Sequence, residues 1–288
     1  MDMKDNTFSK SLFIIGAGGF GREVAWLVER INTAAKSCGK PELWDLKGFL
    51  DDNNTLHGNT IDGYEIIGGH EVLENYGADV WCVMAVGNAK VRKKGITRLT
   101  QFPHIHFATL IDPSANIGRT VSVGEGCMIC AGNNITVDCT IGNHVIINLD
   151  CTVGHDAVIS DFVTLYPSVN VSGCVNIGKC TEVGTGSAII QGISIGSGTI
   201  IGANSTVIRD IDDEVTAVGS PAKVIKRHAD EHIDEHIDEH AYRRVDERNN
   251  EPKIETSEPF GGWIKALNTV EHGIYLLSCN LELHRRAA

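Results

Sequence analysis

The sequence predicts two folded parts and a tail: a small doubly wound α/β domain, then a parallel β-helix, then a charged C-terminal segment. Three observations carry this reading. A glycine-punctuated strand–turn–helix, "SLFIIGAGGFGREVAWLVERI", runs from 11 to 31. An aliphatic residue then recurs at every sixth position from Ile111 to Val207. Beyond the coil stands a four-residue D-E-H-I repeat. The expected parts are residues 11–108, 109–226 and 227–288.

In the first part, an apolar run meets Gly16, Gly18, Gly19 and Gly21 and continues with Val24, Leu27, Val28 and Ile31 at helical spacing. Gly16, Gly18 and Gly21 match G-x-G-x-x-G in the strand–turn–helix setting that gives the motif its meaning. A second strand is expected at "LKGFLDD" and a third at "VWCVMAVGN", which leads into a basic helix, "AKVRKKGITRL". A last short strand is expected within "IHFATLI". The domain is Rossmann-like but shorter than a full dinucleotide-binding fold.

The second part rests on period six, which fits neither a helix at 3.6 nor a simple strand at 2. It fits a triangular coil with one hexapeptide per side, the aliphatic pointing inward and a turn following. Gly follows the aliphatic directly at 118, 124, 142, 154, 178, 184, 196 and 202, and is read as the turn residue. The residue four positions beyond the aliphatic is usually small or β-branched, as at Ala115, Val121, Cys127, Cys139 and Val145. Three sides make a turn of the coil, and successive turns stack as parallel strands about 4.8 Å apart. Seventeen aliphatic positions make between five and six turns. Periodicity alone leaves the hand of the coil open, and parallel crossovers are ordinarily right-handed.

Bulk composition narrows function. A net charge of −12 argues against general affinity for nucleic acid or an anionic membrane surface. No apolar run reaches the roughly 18 residues of a membrane span. The first apolar run, Leu12 to Ile15, is too short for a secretory signal. Nine scattered cysteines form no disulfide framework and suit a reducing compartment, so a cytoplasmic setting is expected. "CMIC", Cys127 to Cys130, matches C-x-x-C without a second pair, and reads as small apolar filler rather than a metal site. The repeat at His228, His232, His236 and His240 reads as a solvated, low-complexity segment without a physiological metal site.

Taken in order, "IIGAGGFGREV", "GFLDD", "AVGN", a His–Asp pair within hexapeptide repeats and a closing "GSPAKV" resemble the bacterial sialic acid O-acyltransferase-like family, which includes nucleotide-sugar N-acetyltransferases. The resemblance spans residues 11 to about 226. It implies a left-handed β-helix, acetyl-CoA as donor, a sugar or nucleotide-linked sugar as acceptor, and a homotrimer with donor sites between neighbouring coils. It also implies His155 as general base, with Asp156 orienting the imidazole; a ring titrating near neutrality suits attack on a thioester. Gly173, eighteen residues on, is expected to offer its N–H to the thioester oxyanion.

On the same resemblance, Gly16, Gly18, Gly19 and Gly21 are expected to hold acceptor phosphate or sugar at a helix N-terminus. Asp51 and Asp52 are expected to meet a base or ribose, Gly87 and Asn88 to line the crevice, and Asn148 to contact the acceptor. Lys223 and Arg227 are expected at the donor phosphates. Where some relatives carry a second His in the following repeat, this chain has Thr164, which speaks against a two-histidine arrangement.

The expected activity is therefore acetyl transfer to a nucleotide-linked amino sugar, for surface polysaccharide or glycan synthesis. Sialic acid O-acetylation is the alternative within the family. A gamma-class carbonic anhydrase would need three converging histidines, and the coil holds only His144 and His155. A non-catalytic trimeric scaffold would be indifferent to loss of His155.

Overall fold

The structure, a computed structural model, describes residues 9–228. The tail read as low-complexity, with His232, His236 and His240, lies outside the described residues.

The first part is a six-stranded sheet in the order β3-β4-β2-β1-β5-β6. It comprises β1 (Lys10–Ile15), β2 (Trp44–Leu50), β3 (Thr60–Ile61), β4 (Tyr64–Gly68), β5 (Val80–Met84) and β6 (Ile105–Phe107). All neighbours are parallel except β3 and β4. The helix α1 (Gly19–Ser37) links β1 to β2 and buries Val24, Leu27, Val28 and Ile31, the apolar stripe seen in the sequence. A one-turn α2 (Glu71–Glu74) and α3 (Ala89–Leu99) complete it. Because β2 and β5 flank β1 on opposite sides, strand order reverses at β1, and a crevice opens at its carboxyl end. The hairpin β3–β4, whose strands are short, carries no strong alternation and was not expected from the sequence.

The expected strand within "IHFATLI" is two elements. The sheet closes with Phe107, and the coil opens at Leu110–Ile111. Two residues between them suffice because both strands run parallel to their new neighbours.

From there the chain is a left-handed parallel β-helix of seventeen two-residue strands. They stack into three faces. Face 1 begins with Leu110–Ile111, face 2 with Asn116–Ile117 and face 3 with Ser122–Val123, each recurring eighteen residues later. A strand at Val215–Val218 extends face 1, and Lys223–Arg227 pairs antiparallel against it.

The inward aliphatics from Ile129 to Val207 are buried and form one continuous core. Each contributes roughly 1.5–3 kcal/mol by leaving water. The first three of the series are less covered, with Ile111 37% exposed, because the coil has no turn beneath them.

The corners correct one expectation. The glycine directly after each aliphatic is not the turning residue. The left-handed residue lies three positions after the aliphatic, at Asp138, His144, Asp150, Asp156, Phe162, Ser168, Cys174 and Cys180, with φ between 56° and 61°. The preceding glycines are needed for a different reason. A Cβ on Gly154 would stand 2.6 Å from the Gly173 nitrogen, so the next turn of the coil leaves no room for a side chain.

Candidate active site

His155 follows the face 2 strand Thr152–Val153 and stands at the corner between faces 2 and 3. Its neighbour Asp156 takes the left-handed corner conformation, φ 59°, which suits a short polar residue. There Asp156 Oδ2 lies 2.8 Å from His155 Nδ1. Adjacent residues thus form an ion-pair geometry that an extended chain would forbid. With Nδ1–H donating to the carboxylate, Nε2 carries the free lone pair. The imidazole is 51% exposed and points away from the coil interior.

Gly173 lies one turn of the coil further on. A Cβ there would fall 2.5 Å from His155 Nε2, so only glycine leaves the ring its place. The Gly173 N–H has no hydrogen-bond acceptor among the described residues. A proton acceptor and an unspent backbone donor therefore share one corner. The Cys174 N–H donates to the His155 carbonyl at 2.8 Å and ties the two turns together.

Beyond this corner, a groove of about 680 Å³ runs along face 3. It starts at Val158, two residues after Asp156, and climbs past Asn176 and Ser194 to Asp210–Asp213. Arg227 reaches Asp212 at 2.8 Å, at the upper end of this groove. Lys223 is exposed at the opposite end of its strand.

The other expected residues gather in the crevice of the α/β domain. Gly16 has φ 103°, and its N–H donates to the Leu50 carbonyl at 2.7 Å. Gly21 packs so close that a Cβ would stand 2.0 Å from the Gly16 oxygen. Gly18 caps α1 with open space around it, and Gly19 begins the helix. The first-turn N–H groups of α1 face the crevice unspent by the helix itself. Asp51, at the end of β2, accepts from the Ala17 N–H at 2.9 Å and from the Asn53 N–H at 2.9 Å. It laces the glycine turn to the neighbouring strand. Asp52 pairs with His70 Nδ1 at 2.7 Å and remains largely exposed. Asn88 caps α3 through its Oδ1 to the Val91 N–H at 2.9 Å. Gly87 packs against Tyr166, whose hydroxyl would lie 3.1 Å from a Cβ there.

Asn148 is only 8% exposed and stands at the corner between faces 1 and 2, with its Oδ1 accepting from the Leu149 N–H at 2.7 Å. It sits across face 2 from His155.

The structure does not bring the crevice and His155 together within one chain. The α/β domain covers face 1: Leu110, Met128 and Ile146 from that face join its core. His155 occupies the corner opposite.

A buried network joins the two parts, and sequence reasoning missed it. Arg92 of α3 is 1% exposed and donates to the carbonyls of Val86, Gly87, His144, Phe162 and Val163. Burial pulls its pKa down to about 10, against the pull of Glu182. Glu182 accepts from the Ala89 N–H at 3.0 Å and from the Tyr166 hydroxyl at 3.0 Å. Thr164 donates to the Gly87 carbonyl at 2.8 Å. The signal for Arg92 was its place on the buried stripe of α3 with Ala89, Ile96 and Leu99.

His144 lies at a different corner, stacked on Phe162 and edge-on to Phe107. Burial pushes its pKa down to about 4, with Arg92 adding to the effect. It does not converge with His155, as a three-histidine zinc site would require. Cys127 and Cys130 are buried, with burial lifting their pKa values to about 11 and about 12. Both behave as apolar filler.

Comparison with known proteins agrees with this architecture. The PglD N-terminal domain model matches residues 11–99. The chain is similar to perosamine N-acetyltransferase from Caulobacter crescentus, solved with CoA and GDP-perosamine, at 28% identity and a TM-score of 0.64, covering 75% of this chain and 97% of that one. It is similar to the acetyltransferase domain of PglB from Neisseria gonorrhoeae at 27% identity and a TM-score of 0.64, covering 75% and 100%. WeeI from Acinetobacter baumannii matches at 28% identity and a TM-score of 0.65, again covering 75% and 100%. Among curated proteins no sequence matches.

Proposed function

We propose that this chain, built as the hexapeptide-repeat sugar acetyltransferases are, moves an acetyl group from acetyl-CoA to the amino group of a nucleotide-linked amino sugar. The observation that carries the reading is the single corner holding His155, Asp156 and Gly173. His155 Nε2 takes the proton as the amine attacks the thioester carbonyl. The Gly173 N–H stabilises the oxyanion of the tetrahedral intermediate. Collapse expels the CoA thiolate, which the imidazolium protonates. Asp156 keeps the proton on Nδ1 throughout.

Acetyl-CoA lies along the face 3 groove, its thioester at the His155 corner and its phosphates toward Arg227, while Lys223, at the other end of that strand, stands away from this groove. The nucleotide-sugar lies in the α/β crevice, its phosphates on the turn of Gly16, Gly18, Gly19 and Gly21. Asp51 and Asp52 meet its base or ribose, Gly87 and Asn88 line its pocket, and Asn148 contacts the sugar. Residues 11–108 thus bind acceptor and residues 109–226 carry out transfer.

One chain's crevice and imidazole stand on opposite sides of its coil, so a working site needs a second protomer. A closed ring of three, with each coil lending its His155 to a neighbour's crevice, meets that need with one interface repeated. Buried reduced cysteines and a thioester donor support a cytoplasmic setting. Among the described residues, no helix is long and apolar enough to cross a membrane. The product suits surface polysaccharide or glycan synthesis.

The direct test is a panel of UDP-, GDP-, dTDP- and CMP-linked amino sugars with acetyl-CoA, followed by free thiol release. One of them is expected to release one thiol per acetamide formed. Release with unactivated sialic acid alone, giving an ester, would replace this reading with O-acetylation.

A further inference from the structure

A thiol stands beside the His155 corner that acetyl transfer does not use. Cys174 follows Gly173 and is exposed. Its left-handed backbone, φ 57°, directs it from the same corner as His155 and Asp156, one turn of the coil on. One atom from each of the three side chains lies within 4.8 Å of the others. An imidazole nitrogen, a thiolate and a carboxylate oxygen form a donor set suited to a thiophilic divalent cation, with a fourth position left for water. Tetrahedral zinc bonds of about 2.0–2.3 Å place donor atoms roughly 3.3–3.8 Å apart. Separations near the 4.8 Å limit would close by about 1–1.5 Å and the 2.8 Å His155–Asp156 contact would open slightly, small rotations for side chains as open as these (51% and 58% exposed). Gly173, lacking a Cβ, is what lets the imidazole stand at this corner beside Cys174.

We propose that His155, Asp156 and Cys174 form an inhibitory site for Zn²⁺ or a cation of like chemistry. Binding replaces the thiol proton with the metal, the proton passing to solvent, and occupies the imidazole that acetyl transfer needs. The inhibition, though not the binding, rests on His155 being the base.

The test uses the full chain with Co²⁺ as the spectroscopic probe and Zn²⁺ as the inhibitor. Co²⁺ is expected to give a thiolate charge-transfer band at one equivalent per chain, lost in Cys174→Ser and in His155→Gln. Histidines at 228–240 give no such band, so they do not imitate it. Zn²⁺ is expected to inhibit acetyl transfer reversibly by EDTA. Cys174→Ser should keep its metal-free turnover and need at least ~10-fold more Zn²⁺ for the same inhibition. No band in the wild-type chain, or a band and a zinc sensitivity unchanged in Cys174→Ser, would overturn the site. A band lost in both variants while zinc leaves turnover untouched would uphold metal binding and overturn the inhibition, with the role of His155 falling alongside it.

Discussion

At the residue scale, His155 stands out in the sequence as a candidate base only through its company. A lone His at a coil corner is ordinary surface, and the Asp156 contact depends on a left-handed backbone that spacing does not reveal. The glycine pattern was visible and its cause was misread, because a missing Cβ serves turn conformation and close stacking alike. His155→Gln should lower kcat about 10²–10⁴-fold, the usual contribution of a positioned base. The assembly should keep its size by light scattering, and acetyl-CoA binding should persist by calorimetry. Turnover within a few-fold of wild type would remove His155 from the chemistry.

His144 makes a separate prediction. Its folded pKa of about 4 lies below the ordinary 6.5. The unfolded chain therefore binds a proton in that window which the folded chain refuses, and stability rises with pH between the two values. As pH falls from 6.5 to 4, the loss should be on the order of 2–3 kcal/mol. Asp112, held at about 2 by Arg30 and Ser114 although burial opposes them, titrates below this window. Urea midpoints across pH 4–6.5 should slope in the wild-type chain and flatten in His144→Asn, whose side chain tolerates the left-handed φ of 56°. An equal slope in both would place the effect elsewhere.

At the scale of elements, the hexapeptide period specifies the coil almost completely, because each inward aliphatic is a separate vote for the same register. The α/β strands with continuous apolar runs were equally plain. The hairpin of β3 and β4 was not, since strands of two and five residues lack the length to show a pattern. Helix α3 shows how composition misleads: "AKVRKKGITRL" looks like a solvated basic surface, yet Arg92 is its most buried polar side chain. Five carbonyls from α3's entry and two coil corners converge on one planar donor fork, a geometry a lysine's point charge does not reproduce. Arg92→Met should destabilise by about 3–5 kcal/mol, since it strands buried carbonyls and the partly compensating Glu182. Arg92→Lys should recover little of that. Urea denaturation gives both values; a loss below about 1 kcal/mol in Arg92→Met would mean the two parts are joined by apolar contact alone.

At the scale of the whole molecule, the sequence pointed to candidate residues for base and acceptor site and could not show that they face apart. Which face of the coil the α/β domain covers depends on Leu110, Met128 and Ile146 turning outward to meet α1 and the sheet, and a period of six does not distinguish three equivalent faces. That placement is why the account needs more than one chain per site. Two variants separate the halves of such a site. His155→Gln lacks the base. Gly18→Asp puts a carboxylate where phosphate should sit, in open space and at a helix cap that favours aspartate. Each alone should be nearly inactive. Co-assembled in equal amounts, the two should recover about one quarter of wild-type turnover, because each site draws its crevice and its imidazole from independently chosen neighbours. Recovery of that size is the result predicted here; mixed assemblies as inactive as their parents would show that acceptor and base meet within one chain.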